Sequence, residues 1–100
     1  MIALPLLASC DYSARSDLRA MDKAMKDAEE NNADMWAETE WKRAQASFNE
    51  AQALAHDRKI NEARDKALEA RTYAEEALEL TLARKKEMEE ERDRLGTYRP

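Results

Sequence analysis

From Ile60 onward, the positions Ile60, Ala63, Ala67, Ala70, Ala74, Ala77, Thr81, Arg84, Met88, Glu91 and Leu95 recur in an unbroken alternation of three- and four-residue steps. Such steps keep side chains on one face of a 3.6-residue turn. The spacing predicts one long helix of roughly 54 Å running to Leu95, with Gly96 as its C-terminal stop. A seam made mostly of alanine adds a second constraint. With little side-chain bulk on the seam, a neighbouring helix lies near the lower end of the usual axial separations of roughly 8–10 Å. The chain must therefore cover this seam with other helices packed close.

Composition removes the alternatives to an all-α fold. Nineteen of the 100 residues are Ala, Val is absent, and Ile2 and Ile60 are the only β-branched aliphatics. Ala and the straight-chain Glu, Lys, Arg and Met lose little freedom in a helix, and a β-sheet has almost nothing here to build on. One Gly and two Pro all lie within six residues of an end, so the body from Ser16 to Leu95 holds no strong breaker. A chain of this length forms one small domain at most, with little room for a cavity lined by several catalytic groups. Lys and Arg number 17 against 22 Asp and Glu, interleaved along the chain, for a net charge of −5. A dispersed, mildly acidic surface excludes nucleic acid as a partner, because that ligand requires a concentrated basic patch.

Two further helices precede the long one. Ser16 or Asp17 is placed to cap the first, whose stripe is Leu18, Met21, Met25 and Ala28. Asn31-Asn32-Ala33-Asp34 interrupts it, since Asn and Asp favour caps and turns and the stripe loses phase there. The second helix is expected from near Asp34, with Ala37, Trp41, Ala44, Phe48, Ala51 and Ala55 on its seam, and His56-Asp57-Arg58-Lys59 is the expected connection to the third. The fold implied is an antiparallel helical hairpin or a three-helix bundle with a long, coiled-coil-like C-terminal helix. Helix one either folds back as a third strand of the bundle or extends the second arm. The bulk opposite the alanines Ala67, Ala70 and Ala74 is expected from Trp36, Trp41 and Phe48, with Leu68, Leu78 and Leu82 flanking and Tyr73 closing the core. Trp36, Trp41 and Phe48 are thus core residues rather than a binding platform. Past Leu82 the seam carries Arg84 and Glu91. That half either projects as a charge-laced helix, with i,i+4 pairs such as Lys85/Glu89, Lys86/Glu90 and Glu90/Arg94, or docks on a partner.

Catalytic and metal chemistry find little to use. His56 is the only histidine, a turn or surface residue beside Asp57, and a zinc site needs three or four convergent ligands. Carboxylate pairs such as Glu75/Glu79 and Glu87/Glu91 read as solvated helix surface. There is no Gly-rich phosphate loop and no nucleophile–base arrangement. The expectation is a non-enzymatic protein with no catalytic residue, no cofactor, no metal and no small-molecule substrate.

The one cysteine points elsewhere. Leu7-Ala8-Ser9-Cys10 is similar to the bacterial lipobox, in which a large aliphatic residue and two small ones precede a cysteine that takes a diacylglycerol. The resemblance implies Cys10 as the lipidation site and membrane attachment through it. Several acyl chains there give stable anchoring where one gives only marginal binding. Residues 1–9 are then the remnant of a lipoprotein signal peptide whose start lies upstream, because a cationic region is missing and the apolar stretch is short. Residues 10–16 form the lipidated cysteine and a polar linker, 17–95 the alanine-rich helical domain and 96–100 a C-terminal tail. Asp11 resembles the sorting residue that favours inner-membrane retention in enterobacterial lipoproteins; the membrane itself, inner or outer, is left open.

Over residues 17 to 83 a family resemblance joins this reading. Trp36-Ala37-Glu38-Thr39-Glu40-Trp41-Lys42-Arg43-Ala44 resembles the Y-A-P-x-x-W/L-x-x-A pattern of the bacterial "domain of unknown function 4398", and Phe48, Ala51, Ala63, Ala67, Ala70, Ala74 and Ala77 continue its alanine-rich hairpin. Glu38 stands where that family tends to have proline; both suit the first turn of a helix. The resemblance implies a periplasm-facing envelope lipoprotein, structural or protein-binding, with envelope proteins or a second copy of itself as partner. Some members carry a peptidoglycan-binding OmpA-like domain; none occurs in these 100 residues, so wall binding does not carry over. The alternative is an unlipidated coiled-coil protein that self-associates through the weak part of its seam.

Overall fold

The computed structural model describes the backbone of residues 3–96 and the side chains of residues 14–96. Its elements are α1 (Ala3–Glu30), α2 (Ala33–Trp36), α3 (Glu38–His56) and α4 (Ile60–Gly96), with no strand among the described residues. Contacts between distant residues fix their directions. Arg64 Nε, near the start of α4, meets Asp17 Oδ2 of α1 at 3.0 Å, and Lys85 Nζ, far along α4, reaches the Asn31 carbonyl just past the end of α1 at 2.6 Å. α1 and α4 therefore run parallel. Ser47 pairs with Glu69 and Glu50 with Lys66, so α3 runs antiparallel to α4. The result is an up-down-up three-helix bundle in which helix one folds back, and α1 and α3 each pack along α4 far more than on each other.

The alanine seam of α4 is the common floor. Ala67, Ala70, Ala74, Ala77 and Thr81 are all 0% exposed, and Ala63 is buried with them. Ala28, Ala33, Ala37, Ala44 and Ala51 meet them from the other helices, also at 0%. Bulk comes from Met21, Met25 and Trp41, with Phe48, Tyr73, Leu18, Leu78 and Leu80 packed partly against this core. Three expectations are corrected here. Trp36 is half-buried at a corner rather than in the centre. Ser47, not Phe48, takes the buried seam position of α3, three residues after Ala44 and four before Ala51, and its hydroxyl donates to Glu69 of α4. Leu68 and Leu82 are exposed, since each turns about 100° or more from the seam at about 100° per residue. The Thr81 hydroxyl is fully buried with no hydrogen-bond partner, an unpaired group that costs on the order of 1–3 kcal/mol.

Helix boundaries follow local chemistry. α1 begins at Ala3 rather than at a Ser16 or Asp17 cap, so segment 11–16, expected as a linker, is helical. No Gly or Pro interrupts it, Ala14 is buried, and Asp17 is used by Arg64 instead of by a helix N-terminus. Asn32 then adopts the left-handed conformation (φ 64°), which Asn tolerates, and its carbonyl accepts from both Met35 and Trp36 N–H. The second helix is split: α2 is a single turn, and Ala37 (φ −138°, ψ 58°) bends the chain while donating to Ala33 and accepting from Trp41. Glu38 opens α3, in the first turn where an acidic residue suits the helix dipole. The α3–α4 turn falls at 57–59 as expected. Lys59 N–H bonds to Leu54 O and Arg58 N–H to Ala55 O, the double bond of a Schellman ending, with Arg58 left-handed at φ 62°.

The bundle is long and thin, 77 × 23 × 14 Å. The 37 residues of α4 span about 55 Å. The excess arises because α1 and α4 overrun the bundle at opposite ends.

Two substitutions test this architecture by urea denaturation. Ala70→Leu adds three carbons where α4 is fully covered and is expected to destabilise by about 1–3 kcal/mol, whereas Ala→Leu at an exposed position stays within about 0.5 kcal/mol. Arg58→Gly relieves a left-handed conformation at an exposed turn and is expected to stabilise by about 1 kcal/mol.

Candidate interaction surface

Two regions stand out once the core is accounted for: the corner where α1, α2 and α3 meet α4, and the part of α4 that runs on beyond it. The corner concentrates main-chain carbonyls at helix ends. Asn31 Nδ2 donates to Asp27 O at 2.8 Å, covering one of the last carbonyls of α1. Lys85 Nζ donates to Asn31 O at 2.6 Å and stands 6.0 Å from the centroid of the Trp36 ring. Arg84 Nη1 donates to the Trp36 carbonyl, which ends α2. Helix C-termini carry unpaired carbonyls and partial negative charge, so cations belong there, and the Trp36 face adds a weak attraction for the ammonium. Arg84 reads in the sequence as a flaw in the apolar seam, and Lys85 as an intrahelical partner of Glu89. The structure gives both the task of tying α4 to the turn between α1 and α3. The signal available in the sequence was the run of three cations, Arg84-Lys85-Lys86, just past the point where the alanine seam stops.

Beyond this corner residues 86–96 are all exposed. The seam continues with Met88 (55% exposed) and Leu95 (61%), and neither has a helix to cover it. Exposed Met35 on α2 and Leu82 on α4 lie towards the same end, so among the described residues four of the five exposed large apolar side chains lie in that half. Arg-Lys-Lys at 84–86 is followed by Glu-Met-Glu-Glu-Glu at 87–91, a basic block against an acidic one.

The other residues singled out in the sequence fall as follows. Ala67, Ala70, Ala74 and Trp41 are buried in the core and support the fold. The Cys10 and Asp11 backbone lies within α1, and their side chains are outside the described residues. His56 is the exposed last residue of α3, its Nδ1 3.7 Å from Asp57 Oδ1. Among the described residues no group of three His, Cys, Asp or Glu could hold a metal ion, and no helix is long and apolar enough to cross a membrane.

Charge pairs decorate the surface. The hydrogen bond and then the charge of Lys42 at 2.8 Å hold the Glu38 carboxyl below the usual carboxylate range, and Lys42 is raised by the same contact. A lowered carboxyl stabilises the fold above its unfolded pKa and loses that contribution as pH falls through its folded value. Lys66 is raised by Glu50 first and by Glu69 second; its contribution is present below its unfolded pKa and is lost only at strongly alkaline pH.

Arg84→Met and Lys85→Met each uncap a carbonyl at the corner and are expected to lower stability by about 1 kcal/mol, with a shift in Trp36 emission. Lys86→Met, one residue on, is expected to change stability by less than about 0.5 kcal/mol. Chemical denaturation followed by tryptophan fluorescence measures all three. Compared with known proteins, the chain matches no family model, no curated protein and no solved structure.

Proposed function

We propose that this chain is a non-enzymatic envelope lipoprotein, anchored in a membrane through Cys10, whose helical body serves as a structural or protein-binding module in the periplasm. The observation that carries the reading is Leu7-Ala8-Ser9-Cys10, a large aliphatic residue and two small ones ahead of the single thiol. In this chemistry the Cys10 sulfur displaces the headgroup phosphate of a phospholipid, forming a thioether to diacylglycerol and giving up the thiol proton. Hydrolysis of the 9–10 peptide bond then frees an amine for a further acyl chain. Multiple chains supply stable anchoring.

The body supports a binding or spacing role over catalysis. Its buried residues are alanine, methionine, Trp41, Ser47 and Thr81, so among the described residues no titratable group is held in the interior where its chemistry would be tuned. The resemblance to the alanine-rich hairpin of the "domain of unknown function 4398" proteins supports the same assignment. A helical α1 continuing through residues 10–16 makes the attachment a stiff one: the anchor joins the bundle without a flexible spacer, at the end that carries the α3–α4 turn.

The test is intact mass spectrometry of protein expressed from its natural reading frame in a bacterial host, with membrane and soluble fractions compared for wild type and Cys10→Ala. The expected outcome is a membrane-bound chain beginning at Cys10 and carrying diacylglycerol and acyl mass, with the substituted chain unmodified. An unmodified wild-type chain in the soluble fraction would sink the proposal.

A further inference from the structure

We infer that the α3–α4 turn is the membrane-facing surface of this protein, and that on an anionic lipid surface the rod stands upright with the free end of α4 pointing away. The inference rests on attachment through Cys10 as proposed above and gives that attachment its geometry.

The contact between α1 and α4 sets the level of the turn. Arg64 of α4 meets Asp17 of α1 at 3.0 Å, and the two helices run parallel. From that contact the α1 backbone reaches Cys10 seven residues back, about 10 Å along the axis. α4 reaches its first residue, Ile60, four residues back, about 6 Å, and residues 57–59 turn just beyond it. Cys10 and the turn therefore lie side by side at one end of the bundle. Headgroups form a layer of roughly 5–8 Å on each side of the hydrocarbon, so lipid held at Cys10 brings the turn into that layer. Arg58 and Lys59 are exposed there, and Arg15 is exposed one turn above Asp11; Asp11 and Asp57 are the carboxylates at the same level.

Charge decides how the rod leans. Residues 10–24 and 44–72, the half that includes the turn, carry eight cations and eight carboxylates. Residues 25–43 and 73–96 carry eight cations and fourteen carboxylates, and six of these carboxylates fall within 27–40 with no cation among them. The acidic excess lies in the half away from the anchor. Near an anionic surface each elementary charge changes a population about fivefold, and the effect fades over roughly 10 Å at 0.1 M salt. A rod 23 × 14 Å in section that lies flat brings its acidic half against the lipid. Upright, that half begins about 20 Å beyond the turn, and only the balanced half is near the surface. Because α1 is helical from Cys10 to Glu30, the body has no flexible spacer on which to tip independently of its anchor.

The single thiol allows a test on the full chain. Cys10 is coupled to a maleimide phospholipid in phosphatidylcholine vesicles made with or without phosphatidylglycerol, each containing a trace of dansyl-headgroup lipid. This bond is made chemically, so the outcome is independent of whether a cell lipidates Cys10. Energy transfer from Trp36 and Trp41 reads height, since upright they stand about 20–35 Å above the turn and flat they lie within the 23 Å width of the bundle. Transfer on anionic vesicles is expected to be at least about twofold lower than on neutral ones, and to rise with added salt. Glu76→Lys, Glu87→Lys and Glu89→Lys together, all at exposed positions, bring the acidic half to eleven of each charge. This triple substitution is expected to abolish the difference, with helicity by circular dichroism unchanged. His56→Trp places a donor at the turn itself and is expected to transfer strongly on both kinds of vesicle. Equal transfer from the parent chain on the two surfaces, a difference that survives salt or the triple substitution, or a silent indole at position 56 would each overturn the inference.

Discussion

Everything in this molecule depends on how closely helices can approach α4. Alanine ends at Cβ, so Ala63, Ala67, Ala70, Ala74 and Ala77 leave a smooth stripe on which α1 and α3 settle side by side. Each alanine removes little apolar surface from water, and the hydrophobic gain per residue is correspondingly small. Compensation comes from contact density: backbones drawn together make many short-range contacts that larger side chains would hold apart. Met21, Met25 and Trp41 then fill the space that remains between the three helices. The unbranched methionines suit that position because they conform to an irregular gap.

The corner opposite the α3–α4 turn is where this arrangement is made directional. Neither turn contains Gly or Pro; Asn32 and Arg58 take the left-handed positions instead. Asn tolerates this conformation readily. At the corner the carbonyls of Asn31 and Trp36 accept from Lys85 and Arg84 of α4. These bonds form only if α1 turns back beside α4, so the two cations favour the folded-back bundle over an extended first helix.

The same geometry gives the molecule two unlike ends. α1 overruns the bundle at one end and α4 at the other, so the molecule is a thin rod with chemically different tips. One tip leads to the thiol of the lipobox-like segment; the other carries an uncovered continuation of the seam with a basic block followed by an acidic one.

The sequence by itself determined the helical fold, the buried seam of α4 from Ala63 to Thr81, and breaks within the segments 31–34 and 56–59, which the structure narrows to 31–32 and 57–59. Those features rest on local physics: helix propensity, spacing of three and four, and the turn preference of Asn. What only the tertiary structure decided was which residues occupy the closest approaches. Ser47 replaces Phe48 on the seam, with its hydroxyl bonded to Glu69 of α4, a contact between residues 22 apart in the chain. Trp36 moves from the expected core to the corner because the chain bends at Ala37. Arg84 changes from an interruption of the seam to a cap, because its partner is a carbonyl 48 residues away in the chain. Pairings at that distance depend on how three helices are set against each other, and periodicity along one helix carries no record of it.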